Sequence, residues 1–307
     1  MKTRASNLTP LSLTSLALIV SAALAGTPSL AAAASYYGGG STYYGNADSL
    51  HNHTVGGGVS SASETPRERE NPAALVFNQG PKIQVSVDSA EVAADSPNTP
   101  NAKHYSQSLG NRFQFYTGNK FAGGTLGVET FNNVSDSLGS LSYLNFGLAT
   151  FAETIDTSIG LSGTYRFVKP GQGVGPKGEN TWTANLGAIF NPHGTVRVGA
   201  NAYGIDRGFK AVGAGLSVDV NAFSTLSFDA STSDRFNGTV IKPAIGVVAL
   251  PFMISYGYGM RVGDTSNEFG ITSGNTLSLG MQFTPGFRLE ASYNQATLFH
   301  LGASIAL

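Results

Sequence analysis

Residues 155–167 read I-D-T-S-I-G-L-S-G-T-Y-R-F, and this stretch constrains the fold more than any other. Ile155, Thr157, Ile159, Leu161, Gly163, Tyr165 and Phe167 share one side of an extended chain. Asp156, Ser158, Gly160, Ser162, Thr164 and Arg166 share the other. Strand side chains alternate between faces, so a period of two makes one face mainly apolar and the other polar. The run is longer than the usual globular strand of about 5–6 residues. Nearly all of the chain after residue 80 repeats the pattern with turns between copies. This is the signature of a transmembrane β-barrel with lipid outside and a polar lumen.

Fourteen segments carry it: 81–88, 111–117, 122–131, 140–151, 155–168, 180–190, 195–204, 209–219, 223–231, 238–249, 252–262, 275–284, 287–294 and 297–307. The count falls to twelve if 81–88 belongs to the preceding segment and one further strand fails. Pro243 interrupts 238–249 and predicts a bulge or a poorly paired position there. Alternate connections form a uniformly short set, while 89–110, 132–139, 169–179 and 263–274 all fall in the other. Outer-membrane barrels have short periplasmic turns and longer extracellular loops, so an even strand count with both barrel ends in the periplasm is predicted. The fold expected is an all-β, transmembrane antiparallel barrel over residues 81–307.

Composition agrees. Charged residues make up 12% of the chain, against about 25% in soluble domains. A soluble sandwich would carry more charge on its polar face and more lysines guarding its edges. Here that face is Ser, Thr, Gly and Asn. The absence of cysteine excludes disulfides, thiol catalysis and cysteine metal sites. A formal net charge of −1 gives no footing for a nucleic-acid partner.

Residues 1–34 read as a secretory signal peptide cleaved near Ala34, with Lys2 and Arg4 before an apolar run and Ala32-Ala33-Ala34 at the cleavage site. Export combined with a barrel implies the outer membrane of a Gram-negative bacterium, with lipid and the barrel-assembly machinery as partners. Residues 35–80 are Gly- and Tyr-rich without sustained period and suit a plug or a periplasmic segment. They include His51-Asn52-His53, which has no third ligand nearby to make a metal site. No metal and no cofactor is expected.

The polar parity places Lys82, Asp88, Arg112, Glu129, Asp156, Arg166, Arg197, Asp219, Asp229, Lys242, Arg261, Arg288, Glu290 and His300 toward the lumen. Both signs are mixed, whereas a ring of one sign would have pointed to an ion-selective pore. Charges inside a narrow barrel need partners, and Arg288 with Glu290 forms an obvious local pair. No nucleophile, base and orienting acid can be assembled from motifs, so no enzyme is expected.

Just before the first strand stands Glu70-Asn71-Pro72-Ala73-Ala74-Leu75. It resembles the Asn-Pro-Ala segment of the FadL-like outer-membrane channels, in which a plug precedes a fourteen-stranded barrel for hydrophobic substrates. The resemblance implies that Asn71, Pro72 and Ala73 belong to a plug inside the lumen. An ordinary turn leading into the first strand is the alternative reading of the same residues. The function expected is passive passage of small, hydrophobic or other, solutes gated by the amino-terminal segment. A barrel that anchors a partner without conducting, and a general porin, stand beside it.

Overall fold

Backbone amides in a strand can find partners only on neighbouring strands, and a sheet that closes on itself leaves no edge unpaired. The chain takes this solution. A computed structural model describes residues 59–60, 71–77, 80–95, 103–119, 121–132, 140–169, 180–192, 194–208, 211–221, 224–233, 238–249, 251–263, 274–284, 287–294 and 298–307. The expected signal peptide, the His51/His53 pair and most of loop 169–179 lie outside the described residues.

Fourteen antiparallel strands form one closed barrel. They are β1 (Lys82–Asp95), β2 (Lys103–Asn119), β3 (Ala122–Asn132), β4 (Ser140–Ala152), β5 (Thr157–Lys169), β6 (Thr181–Phe190) and β7 (Val196–Tyr203). Then follow β8 (Ala211–Asn221), β9 (Ser224–Ser233), β10 (Gly238–Ala249), β11 (Phe252–Gly263), β12 (Gly274–Thr284), β13 (Phe287–Asn294) and β14 (Leu298–Ala306). Every strand pairs with its sequence neighbours, and β1 pairs with β14 from Lys82↔Ala306 to Asp88↔His300 to close the ring.

Two details depart from the sequence reading, and a third decides between its alternatives. Stretch 89–110 is mostly paired: the β1–β2 ladder continues to Asp95↔Lys103, well past the last β1–β14 pair. That ribbon lacks the apolar alternation because only the strand portion facing lipid requires it. β5 begins at Thr157, and Asp156 sits in the preceding turn at φ +46°. Asp156 is therefore a turn residue, corrected from a lumen-facing strand position. A short aspartate tolerates this left-handed geometry better than most residues do. Pro243 makes no bulge and is instead the poorly paired position, the other alternative that the sequence offers. The β10–β11 ladder lapses between Ile241↔Met260 and Ala244↔Gly257 and resumes in the same register, while Pro243 still faces Phe228 of β9. A missing N–H explains a local lapse of that kind.

The two parities separate by exposure. Val85, Leu126, Leu148, Leu161, Leu186, Phe228, Leu279 and Leu301 are exposed large apolar side chains and form an outer band. Arg112, Gln114, Asn145, Ser162, Asn185 and Ser217 are buried on the inside. Aromatic rings gather at both ends of the band, with Tyr165 against Trp182 at 4.6 Å near the long loops and Phe283 against Phe287 at 5.7 Å near the short turns. Such girdles sit at the membrane interfaces of outer-membrane barrels.

Placing a guanidinium on the outer band tests this orientation. Leu161→Arg should destabilise the folded barrel by about 2–4 kcal/mol, as expected for a charge at mid-bilayer depth. Reversible unfolding in lipid vesicles checks it, and an unchanged midpoint would contradict a lipid-facing Leu161.

Candidate functional site: the inner wall and the segment held against it

The site starts from three residues ahead of β1. Asn71 caps a 3-10 helix formed by Pro72–Phe77. Its Oδ1 accepts from the Ala73 N–H at 3.1 Å, and its carbonyl accepts from the Ala74 N–H at 3.0 Å. Asparagine is a favoured cap, and proline at the first helical position has its φ pre-set and no N–H to leave unpaired. Asn-Pro-Ala is therefore a self-sufficient helix start.

The same asparagine ties the helix to the wall. Its Nδ2 donates to Val59 O at 2.7 Å, Ala188 O at 2.9 Å and Ala200 O at 3.2 Å, two hydrogens serving three carbonyls. Asn71, Ala73 and Val76 are fully buried, with Pro72, Ala74 and Leu75 nearly so. The helix packs against β2 to β6. Leu75 and Val76 meet Tyr116 and Ala149, while Ala73 and Ala74 meet Ile189.

Close approach requires glycines. A Cβ on Gly160 would collide with the Pro72 carbonyl carbon, and one on Gly187 with Asn71 Oδ1. A Cβ on Gly123 would strike the Leu75 carbonyl, and one on Gly199 the Val59 carbonyl. Gly160 and Gly187 are register partners on β5 and β6. Together these positions form a glycine track along the inner wall from β3 to β7. The sequence carries its signal as glycines on the polar parity, but which segment they accommodate becomes visible only in the fold.

Val59 and Ser60 make a second attachment. The Ser60 N–H and Oγ both donate to Asp229 Oδ1, at 3.1 and 2.8 Å, and Ser60 O accepts from Ser217 Oγ at 2.9 Å. Val59 packs on Val240. Asp229, fully buried on β9, is thus a residue that holds the segment.

The remaining charged residues fall into local groups. Arg197 grips Asp219 with both terminal nitrogens at 2.7 and 2.6 Å, and its Nε donates to Ser217 Oγ at 3.0 Å. Glu290 joins three strands: its Oε1 meets His300 Nε2 at 3.1 Å and Gln84 Nε2, and its Oε2 meets Arg288 Nη2 at 3.4 Å. Arg112 of β2 stands opposite Glu129 of β3, and Arg166 of β5 opposite Tyr143 of β4, all four buried. Lys242 of β10 donates to Thr276 Oγ1 at 3.0 Å. Arg261 lies half-buried on β11, and Lys82 is buried at the start of β1. Side chains of opposite sign and hydroxyls thus meet across strands, which is the arrangement that makes buried charge tolerable.

Phe131, Leu141, Tyr143, Ile189 and Tyr203 also stand buried on the inner face. Reading the polar parity through its charges passes over these apolar members. Phe131 and Tyr143 meet edge to face at 6.2 Å near the long-loop end.

Two substitutions test the attachment. Gly187→Val should cost about 1–3 kcal/mol through overpacking, and it should expose residues 59–60 and 71–77 to protease while the barrel band stays intact. Asn71→Ala should release the same residues without the steric insult. Unchanged protection in both variants would show that the glycine track does not hold the segment.

No protein-family model matches the chain. No curated protein matches it either. Solved structures do. The toluene transporter TodX of Pseudomonas putida superposes with a TM-score of 0.54 at 10% identity, covering 83% of this chain and 97% of that one. The monoaromatic hydrocarbon channel CymD gives 0.51 at 13% identity, with 83% and 97% covered. At such identities the likeness is one of fold, and it is the fold of the channels that the Asn-Pro-Ala motif resembles.

Proposed function

We propose that the chain is an outer-membrane channel for the passive passage of small solutes, hydrophobic ones among them, with residues 35–80 acting as an intraluminal plug. The observation that carries the reading is the seating of Asn71–Val76 on a glycine-lined inner wall. A wall with such a track gives up side-chain packing all along it, and the loss is offset only while the segment lies there. TodX and CymD are described as a toluene transporter and a monoaromatic hydrocarbon channel, which supports a small-molecule solute for a barrel of this fold. The outer band and paired aromatic girdles support outer-membrane lipid as the surrounding medium. Insertion by the barrel-assembly machinery and removal of residues 1–34 belong to the same reading. No catalytic role is proposed for any residue.

Burial of the inner face from β2 to β9 also favours a second reading, in which the barrel anchors a partner and does not conduct. Solute flux separates the two. In proteoliposomes, the mature chain should pass small solutes slowly, and a form lacking residues 35–80 should pass small polar solutes much faster. Equal leakage from both would make the segment a tail on an open porin. Tight vesicles from both, with folded barrels, would end the channel reading and leave the anchoring one.

A further inference from the structure

The described parts of the inner segment lie against β2 to β10: Pro72–Phe77 against β2 to β6, and Val59–Ser60 against residues of β7 to β10. Near the short turns, the inner-facing Ser158, Ile189 and Ser217 of β5, β6 and β8 are fully buried, while Asp219 at the rim, paired with Arg197, keeps its side chain 32% exposed. Across the barrel, in the corresponding halves of β11, β12 and β13, burial gives way. Met253, Ser255, Ser278 and Gln282 are half-buried, and the Arg288 side chain is 31% exposed. The inner-facing Gly246 of β10 is half-buried as well. Toward the long loops this side closes again, where Lys242 bridges to Thr276 at 3.0 Å with both residues buried. The short-turn half of the β10–β13 inner face is thus less closely covered than Ser158, Ile189 and Ser217, up to the Lys242–Thr276 bridge, and is called the vestibule below.

Resting on the channel reading above, we propose that solutes cross the short-turn half of the barrel through this vestibule, along β10–β13, and not between the inner helix and β2–β6. Its wall is chemically distinct from the rest of the interior. Two hydroxyls, an amide and a guanidinium face it, with Met253 as the apolar member. The Arg288 guanidinium is held loosely, at 3.4 Å from Glu290, whereas Glu290 itself is tied to His300 and Gln84. A loosely held donor can turn to a passing solute, while the carboxylate stays fixed. Such a wall suits small solutes that carry hydrogen-bonding groups, since its polar side chains take the place of the waters a solute sheds on entry. Gly280 is buried and lets the Met253 and Arg288 side chains lie close over the wall. A Cβ there would stand 3.1 Å from Met253 Cε and 3.4 Å from Arg288 Nε.

The absence of cysteine makes the path directly testable. Single substitutions Ser278→Cys and Gln282→Cys on the vestibule, and Ser158→Cys and Ser162→Cys beneath the inner helix, are made in the full mature chain. Each is reconstituted in proteoliposomes and treated with a charged, membrane-impermeant methanethiosulfonate. Glycerol flux is measured before and after, and labelling is quantified by mass spectrometry. Residues 278 and 282 should label at least about tenfold faster than 158 and 162, because buried positions react only through rare openings. Their labelling should also lower glycerol flux below each variant's own starting value. Equal or reversed labelling would overturn the proposed path. So would full labelling at 278 and 282 that leaves flux unchanged. Vesicles of the unsubstituted protein that are impermeable to glycerol, with the expected labelling pattern intact, would instead remove the channel reading for such solutes on which the path depends.

Discussion

The structure depends on the closure of β1 onto β14. Seven register pairs, from Lys82↔Ala306 to Asp88↔His300, join the first strand to the last. In a hydrocarbon medium each unpaired backbone group costs several kcal/mol, so an open fourteen-stranded sheet is not an available state. Closure then fixes everything that follows. Once the ring exists, one parity of every strand must face lipid and the other must face an interior that has to be filled or hydrated. The outer band of Leu, Val and Phe answers the first demand. The inner segment, the cross-strand pairs and the vestibule answer the second.

The inner side is solved asymmetrically. On β3 to β7 the wall recedes to bare backbone, and a short polar-capped helix takes up the space. Asn71 serves both halves of this solution. One side chain caps its own helix through Oδ1 and reaches two wall strands and Val59 through Nδ2. On β11 to β13 the wall keeps its side chains, and among the described residues no such helix covers them. Each arrangement is locally complete, because a half-filled glycine track would leave voids, and a fully lined wall has no room for the segment.

How much of this is legible in the sequence depends on what the pattern encodes. The fourteen strands can be read because lipid enforces strict alternation, as in Leu161 beside Ser162 or Phe228 beside Asp229. Where lipid stops, so does the signal: Ser89–Ala94 pairs with β2 but shows no alternation, and its sequence reads as loop. Asp156 illustrates a boundary error of the same origin. Its parity matches Ser158 and Ser162, but the backbone turns left-handed before the strand begins. The inner site is legible only in part. Asn71-Pro72-Ala73 stands out through a family resemblance, and Arg288 with Glu290 through strand spacing. Gly123, Gly160, Gly187 and Gly199 cannot be read as a group, since their meaning lies in adjacency across strands distant in sequence.

This distinction bears on how such a barrel diverges. An outer-facing position needs only an apolar side chain, so Leu, Val, Ile and Phe exchange freely there and sequence likeness decays quickly. A fold shared with TodX at 10% identity is compatible with that freedom. A track glycine is different, because the nearest alternative, alanine, already places a Cβ on the Pro72 or Leu75 backbone. Backbone on both sides of that approach leaves nothing flexible to yield. The inner wall of β3 to β7 and the segment it holds are therefore coupled, and a change in either must be answered by the other. The vestibule wall has no such coupling. At Gly280 the neighbours are the ends of flexible side chains, so the chemistry of this wall can change while the barrel and its inner helix stay as they are.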